Sequence, residues 1–502
     1  MMKEDCIHLG YFDPSDKHVP NPGMGQIGYV FSDHQHCALN RTSWVWSETH
    51  DNNRPMDRKS FEDLLKLPYM DLLYLRVEWC DVHKAPGKLT LTKEFEWVLE
   101  AVEKYGKRWA FRIMNSSPHS RFETSVPEFI KDKMEYETYW HNHVQLPPYP
   151  KKYPKYTEEY FKWWEECVQL AAERFDSHPL LEFTEIAGFG HWAEAHHYGS
   201  YTGPEGPIFN KDPEHVEEVV DRVISSHLNA FTQSPSVMNV HFTEYEAGMK
   251  WLKSGKVWLR RDSFQSGFST YEWENITNLP RGNAMLWEPL MPTGPRSTTP
   301  TMDPMQLVYR YTDSGASYSS LGFNAWDAKL LHQYSIPQVR YLAENMGYKL
   351  RPSIVWRRFL NENEQEIAVA MVNDGCAAPA GEITMTAIFP SGERVTAKLD
   401  KGTPAPGEKP LIRFAVPKQD LAADSNSFVR LRAEIKLKEK SFPVQFATKQ
   451  ILLDPFEIEL PMYVRQDIGR EVILPGTNAS GCFISYDRKG NRVTDPKKKL
   501  NF

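Results

Sequence analysis

Two glutamates sit where a chain of this kind could do acid and base chemistry. Glu194 lies in Leu180-Leu181-Glu182-Phe183-Thr184-Glu185-Ile186-Ala187-Gly188-Phe189-Gly190-His191-Trp192-Ala193-Glu194-Ala195-His196-His197, where an apolar strand runs into a loop of Gly, Trp, Glu and His. Glu288 ends Ala284-Met285-Leu286-Trp287-Glu288-Pro289. A charge directly after Met-Leu-Trp is costly unless it is paired or solvated in a cleft, and Pro289 keeps Glu288 itself in extended rather than helical backbone. Two carboxyls projecting into one cleft can split a glycosidic bond, one protonating the leaving oxygen and the other attacking or activating water. Glu185 competes with Glu194 for the first role. Glu194 is preferred because it lies in the Gly-rich loop, against the plainer reading of a helix-opening carboxylate beside His196 and His197.

Around this pair the sequence offers binding groups. Arg76 and Glu78 close Tyr74-Leu75-Arg76-Val77-Glu78-Trp79, and Arg112 lies in Phe111-Arg112-Ile113. An arginine near a nucleophilic carboxylate keeps it ionised, although a structural ion pair would use the same residues. His191, His196, His241 and Glu244 are candidate substrate contacts, with Glu246, Arg261 and Asp262 beside them. Asn324 joins that set. Trp192, Trp287, Trp326 and Trp79 are candidate sugar-stacking platforms, each with a core role as its alternative. The histidines lack the HExxH or another tight ligand spacing, so neither a catalytic metal nor a cofactor is expected.

Composition narrows the class. Hydrophobic residues at 41% and charged residues at 25% are a globular balance, which sets disorder and collagen aside. Aromatic residues at 13%, including 15 Trp and 23 Tyr, exceed what a core needs and suit ligands with flat apolar faces. A net charge of −7 argues against a nucleic-acid partner, and Lys497-Lys498-Lys499 reads as a solvated terminus. Cysteines at 6, 37, 80, 167, 376 and 482 have no CxxC spacing, so no zinc knuckle is indicated. Met1-Met2-Lys3-Glu4-Asp5 has no signal-like apolar core and no 18-residue apolar run occurs, so the chain reads as soluble. An exported protein stripped of its signal would read the same way. The sequence leaves the oligomeric state open.

The elements that must position these residues alternate. Eight short apolar strands are expected at Gly25 to Phe31, Leu72 to Trp79, Trp109 to Asn115, Leu180 to Ala187, Val237 to Glu244, Val257 to Asp262, Ala284 to Glu288 and Tyr318 to Asn324. Helices fall between them, each with its own punctuation. Thr92 caps one that Gly106 ends, Thr157 precedes Phe161, Trp164, Val168 and Ala172, and Asp212-Pro213 opens a third. Eight β/α units over about 320 residues fit a (β/α)8 TIM barrel better than a doubly wound sheet. The Pro- and Tyr-rich insertion between Asn115 and Thr157 is expected to act as a lid on the catalytic face.

After Gly347 the period changes to two. Glu366 to Val372, Glu382 to Phe389, Ile412 to Val416, Phe428 to Ile435 and Val444 to Ala447 are expected to build an antiparallel β-sandwich. The expected division is a barrel over 20–347, a sandwich over 348–450, and an extension over 451–502 packing on the others.

With the fourth and seventh strands carrying Glu194 and Glu288, the chain resembles clan-A TIM-barrel glycoside hydrolases. Asn21-Pro22-Gly23-Met24-Gly25, Gly190-His191-Trp192-Ala193-Glu194 and Leu321-Gly322-Phe323-Asn324-Ala325-Trp326 are similar to segments of bacterial β-galactosidase-like barrel proteins with an appended domain. The resemblance implies retaining hydrolysis of a β-linked oligo- or polysaccharide, with Glu194 as acid/base and Glu288 as nucleophile. Clan-A enzymes place Asn before the acid/base, whereas Ala193 stands here. The rivals are a carbohydrate-binding barrel without catalysis and a polysaccharide lyase working through Tyr and His.

Overall fold

A strand that buries every side chain needs cover on both faces, which parallel sheets obtain from their crossover helices. Leu72–Glu78, Leu181–Glu185 and Val257–Arg261 are buried along their whole length. In the computed structural model, which describes residues 5–31, 58–118, 120, 122–140, 150–195, 200–201, 212–262, 270–288, 304–320, 336–424, 426–463, 485–486 and 492–493, these strands belong to one closed barrel.

The barrel runs through Gly25–Phe31, Leu72–Glu78, Arg108–Met114, Leu181–Glu185, Ser236–Asn239, Val257–Arg261, Met285–Trp287 and Tyr318–Ser320, each parallel to the next. The eight expected strands are all present. The fifth stops at Asn239, whose side chain accepts from the His241 N–H and opens a 3-10 turn over Val240–Glu244. Asn324, the expected end of the eighth, lies outside the described residues.

The helix punctuation works as the residue types require. Thr92 accepts from the Phe95 N–H and Gly106 closes Lys93–Tyr105 at φ 60°. Thr157 accepts from the Tyr160 N–H at the start of Glu158–Phe175, and Asp212 from the His215 N–H at the start of Pro213–Ala230. Among the described residues, no helix is long and apolar enough to cross a membrane.

Inside the barrel the side chains form layers. Tyr74, Phe183, Trp258 and Tyr318 come from the second, fourth, sixth and eighth strands, with ring centroids 5.6–6.2 Å apart for the four pairs in contact. Four residues from alternate strands are how a barrel of this kind fills its centre. Two residues further along the same strands stand Arg76, Glu185 and Arg260, which period two puts on the same face. At ~3.3 Å per residue they lie about one side-chain layer nearer the C-terminal end. Next to Phe183, Glu182 accepts from the Arg108 guanidinium and from the Tyr318 hydroxyl, the latter at 2.5 Å.

The insertion after the third strand carries a 3-10 turn, Glu128–Lys133, and strands Tyr136–Trp140 and Lys151–Pro154, which form a small antiparallel sheet with Ser200–Tyr201. Its centre, 141–149, lies outside the described residues.

Contacts divide the chain into two units, one of Gly25–Ala343 with Lys438–Lys440, the other of Met1–Met24, Glu344–Leu437 and Ser441–Phe502. Residues 20–24 therefore group with the second unit, where Asn21 exchanges hydrogen bonds with the Gln445 backbone and the Pro22 carbonyl accepts from the Tyr348 hydroxyl, while Asp5–Tyr11 pairs antiparallel with Leu350–Asn361. That unit holds the sheet Asp5–Tyr11, Leu350–Asn361, Glu364–Asn373, Leu411–Ala415. A second antiparallel sheet is built on Arg394–Leu399, Glu382–Ile388 and Phe428–Leu437, with Lys440–Pro443 and Glu457–Pro461 on the last of these. The expected strand at Val444 to Ala447 is instead non-repetitive chain that follows Lys440–Pro443. Glu457–Pro461 extends the sandwich beyond residue 450.

Candidate active site

Glu288 follows the seventh strand directly and is 2% exposed. Its Oε2 accepts from the Tyr29 hydroxyl at 2.9 Å, from Arg76 Nη2 at 2.5 Å and from Arg260 Nη1. Arg76 stacks its guanidinium 4.1 Å from the Tyr29 ring centroid. Burial, and after it the Glu288 charge, pushes the Tyr29 phenol well above its ordinary range, so it stays a donor.

Glu185 closes the fourth strand. Its Oε1 accepts from Arg260 Nε at 2.8 Å and Arg112 Nη1 at 3.0 Å, and its Oε2 from the Tyr74 hydroxyl.

Glu194 reaches the same place from the loop by an unusual backbone route. Trp192, Ala193 and Ala195 all take left-handed conformations, with φ of 54°, 62° and 58°. Such positions cost on the order of 1–3 kcal/mol each when the residue is not glycine. The loop folds over Gly190, where a Cβ would come within 2.5 Å of the Ala195 backbone. The Ala193, Glu194 and Ala195 N–H groups donate to the carbonyls of Gly190, His191 and Phe189. The Gly190 N–H donates to the hydroxyls of Tyr153 and Tyr156 at 2.7 and 2.9 Å. This turn aims Glu194 at the barrel centre, where Oε1 accepts from Arg112 Nη1 at 2.7 Å and Arg260 Nη2 at 2.5 Å.

Three carboxylates and three guanidiniums thus share one buried cluster, balanced in charge when all are ionised. Their environments differ. Burial pushes the Glu185 carboxyl up to about 8, with the Glu194 and Glu288 charges adding to it against the pull of Arg260. Burial acts the same way on Glu194, but Arg260 and then Arg112 outweigh it and hold the carboxyl down to about 2. Burial, and next to it the Arg76 charge, lowers Arg112 to about 9. Two carboxyls pushed apart in this way divide naturally into a proton holder and an anion.

The remaining candidates fall around this centre. His241 lies between Glu244 Oε1, 3.0 Å from Nδ1, and Asp262 Oδ1, 3.3 Å from Nε2. Burial opposes its charge, yet hydrogen bonds to Asp262 and Glu244 raise it to about 9. Asp262 also accepts from Asn239 at 3.1 Å. Glu78 accepts from the Ser120 and Ser125 hydroxyls at 2.8 and 3.0 Å, tying the second strand to the insertion. His191 is fully buried, its ring 4.3 Å from Tyr139 and 5.3 Å from Tyr153, and Trp192 is half-buried beside it. Trp79 packs edge-on to Trp164 and Tyr160, and Trp287 lies 6.4 Å from Tyr311. Both are fully buried, which makes them packing between strand and helix, with no free face for a sugar. His196, Asn324 and Trp326 lie outside the described residues. Among the described residues, no group of three His, Cys, Asp or Glu side chains could hold a metal ion.

Arg260, Tyr29 and Tyr74 were not among the sequence-derived candidates. The available signal was parity. Arg260 stands two residues after Trp258 at the end of an apolar strand, as Arg76 stands two after Tyr74.

No protein-family model matches the chain, and no curated protein does. Among solved structures it is similar to a β-amylase, a β-galactosidase and an endo-glycoceramidase. The β-amylase catalytic domain of Paenibacillus polymyxa is 11% identical at TM-score 0.40, over 62% of this chain and 98% of that one. The cold-adapted β-galactosidase of Rahnella sp. R3 is 11% identical at TM-score 0.41, over 68% of this chain and 59% of that one. Endo-glycoceramidase II of Rhodococcus sp., in its lactosyl-enzyme intermediate, is 9% identical at TM-score 0.36, over 81% of this chain and 99% of that one. At these identities the likeness is one of fold.

Proposed function

We propose that this protein is a glycoside hydrolase acting on a β-linked oligo- or polysaccharide by retaining double displacement, with Glu288 as nucleophile and Glu185 as acid/base. The observation that carries the reading is that Glu288, paired with Arg76, shares the Arg260 guanidinium with a fourth-strand carboxyl that burial pushes up to about 8. The protonated Glu185 donates to the glycosidic oxygen while Glu288 attacks the anomeric carbon, breaking the bond and forming a glycosyl ester. The Glu185 carboxylate then takes a proton from water, whose oxygen attacks the same carbon and frees Glu288. Retention needs the carboxyls about 5–5.5 Å apart, a spacing that two groups on one guanidinium can adopt. Glu194, the acid/base expected from the resemblance, is held ionised by Arg112 and Arg260 and suits an anionic supporting role better than proton donation.

A second reading, a carbohydrate-binding barrel without turnover, draws on one observation: Arg260 spans all three carboxylates in a buried cluster. Aryl β-glycosides and plant or algal polysaccharides separate the two. Wild type should hydrolyse at least one with retention, seen by NMR of the first-formed anomer, and Glu288→Gln should lose roughly 10⁴-fold in kcat/KM. Glu185→Gln should lose most on poor leaving groups, and Glu194→Gln less. Full activity in Glu288→Gln would remove the assignment, and binding without hydrolysis in wild type would favour the second reading.

A further inference from the structure

Arg260 touches all three carboxylates of the cluster, with a different nitrogen for each. Nε meets Glu185, Nη2 meets Glu194 and Nη1 meets Glu288. These come from the end of the fourth strand, from the strained loop beyond it and from the end of the seventh. By contrast, Arg76 reaches Glu288, and Arg112 reaches Glu185 and Glu194 through a single nitrogen. A planar fork with donors in fixed directions sets distances as well as charge, which an ammonium on a flexible stem does not.

We propose that Arg260 is the positioning residue of this site, the shared counter-charge that joins the acid/base and the nucleophile and holds both carboxyls in register across the barrel. The proposal deepens the glycoside-hydrolase reading and rests on it. The groups facing this guanidinium are Glu185, Glu194 and Glu288, with Tyr29 from the first strand, Arg76 from the second and Arg112 from the third. Without Arg260, Glu185 keeps Arg112 and the Tyr74 hydroxyl, Glu194 keeps Arg112, and Glu288 keeps Arg76 and the Tyr29 hydroxyl. Each carboxylate loses stabilisation of its ionised form, so each titrates at higher pH.

The test is the pH profile of kcat/KM on an activated aryl β-glycoside for wild type, Arg260→Met and Arg260→Lys. Arg260→Met should lose on the order of 10²-fold or more, as when one preorganised donor is removed. Both limbs of its bell should move to higher pH, because the nucleophile ionises later and the acid keeps its proton longer. Arg260→Lys should recover part of the rate and part of the shift, since one ammonium cannot span three carboxylates. If Arg260→Met does not fold, Arg260→Lys carries the test, because its limbs must still lie above those of wild type. A profile with unmoved limbs overturns the proposal, whatever the loss of rate. Glu288→Gln separates the two ideas. If it is inactive while the Arg260 variants keep the wild-type profile, only the positioning role falls; if it is fully active, the hydrolase reading falls and takes this role with it.

Discussion

Strand Phe428–Leu437 of the sandwich buries every second side chain, Val429, Leu431, Ala433, Ile435 and Leu437, whereas strand Leu72–Glu78 of the barrel buries all seven, two of them charged. The sandwich strand is half solvated, and its buried face holds only groups that gain from leaving water. The barrel strand has no solvated face, so Arg76 and Glu78 must be satisfied inside the protein. A buried ion pair is weak support for stability, because the desolvation of two charges offsets their attraction, and apolar residues of like volume often do as well. The aromatic layer of Tyr74, Phe183, Trp258 and Tyr318 shows that this barrel fills its centre with rings where nothing else is required. Six ionisable groups gathered beyond it toward the C-terminal end, together with three left-handed residues that deliver Glu194, are therefore better explained by chemistry than by folding.

The contrast breaks most visibly at Arg112, which is fully buried between Glu185 and Glu194. Arg112→Leu takes a buried guanidinium from both carboxylates and should cost about 3–5 kcal/mol in urea unfolding. Adding Glu194→Leu should recover much of that, since the pair leaves together. A single variant within about 1 kcal/mol of wild type would show that the cluster is not held by pairing.

The sandwich should respond in another manner. Leu431→Ala removes a fully buried apolar side chain and should cost about 2–4 kcal/mol. The loss should be equal at pH 5 and pH 8, because the deleted atoms carry no charge. A difference above roughly 1 kcal/mol between the two would mean that this core is coupled to titrating groups after all.

The same contrast governs how much was legible in the sequence. The eight barrel strands stand out as apolar runs between capped helices, and Thr92, Thr157 and Asp212 cap the helices they announce. Glu366 to Val372 and Glu382 to Phe389 show their alternation openly. What stays hidden depends on contacts between distant segments. Asp5–Tyr11 is a strand of the second unit only through its pairing with Leu350–Asn361, more than three hundred residues on. Arg260 gains its meaning from closure of the barrel, which brings its three nitrogens to strands four and seven. Glu194 turns inward because Trp192, Ala193 and Ala195 adopt backbone conformations that their residue types do not announce. The expectation for Trp79 and Trp287 placed them by strand end alone, and the parity that turns Trp287 toward the Tyr311 helix is opposite to that of Leu286 and Glu288.

His227 tests whether a buried titratable group of the barrel unit must be charged at all. It is buried on helix Pro213–Ala230, with Nδ1 3.1 Å from the Val223 carbonyl and Nε2 accepting from the Ala187 N–H at 3.3 Å. That arrangement uses the neutral ring, with the proton on Nδ1. Burial lowers its pKa to about 4 from the ordinary 6.5, the Val223 carbonyl opposing. The unfolded chain therefore takes up a proton near pH 6.5 that the folded chain refuses until near pH 4. The stabilisation is complete above pH 6.5 and is lost as the pH falls through that window, by about 2 kcal/mol at pH 5. His227→Gln keeps a donor and an acceptor without a titration. Its stability at pH 7 should fall, but the decline between pH 7 and pH 5 should be about 2 kcal/mol shallower than in wild type. Parallel curves for the two proteins would mean that acid sensitivity comes from elsewhere, with the carboxylates of the central cluster the next groups to substitute.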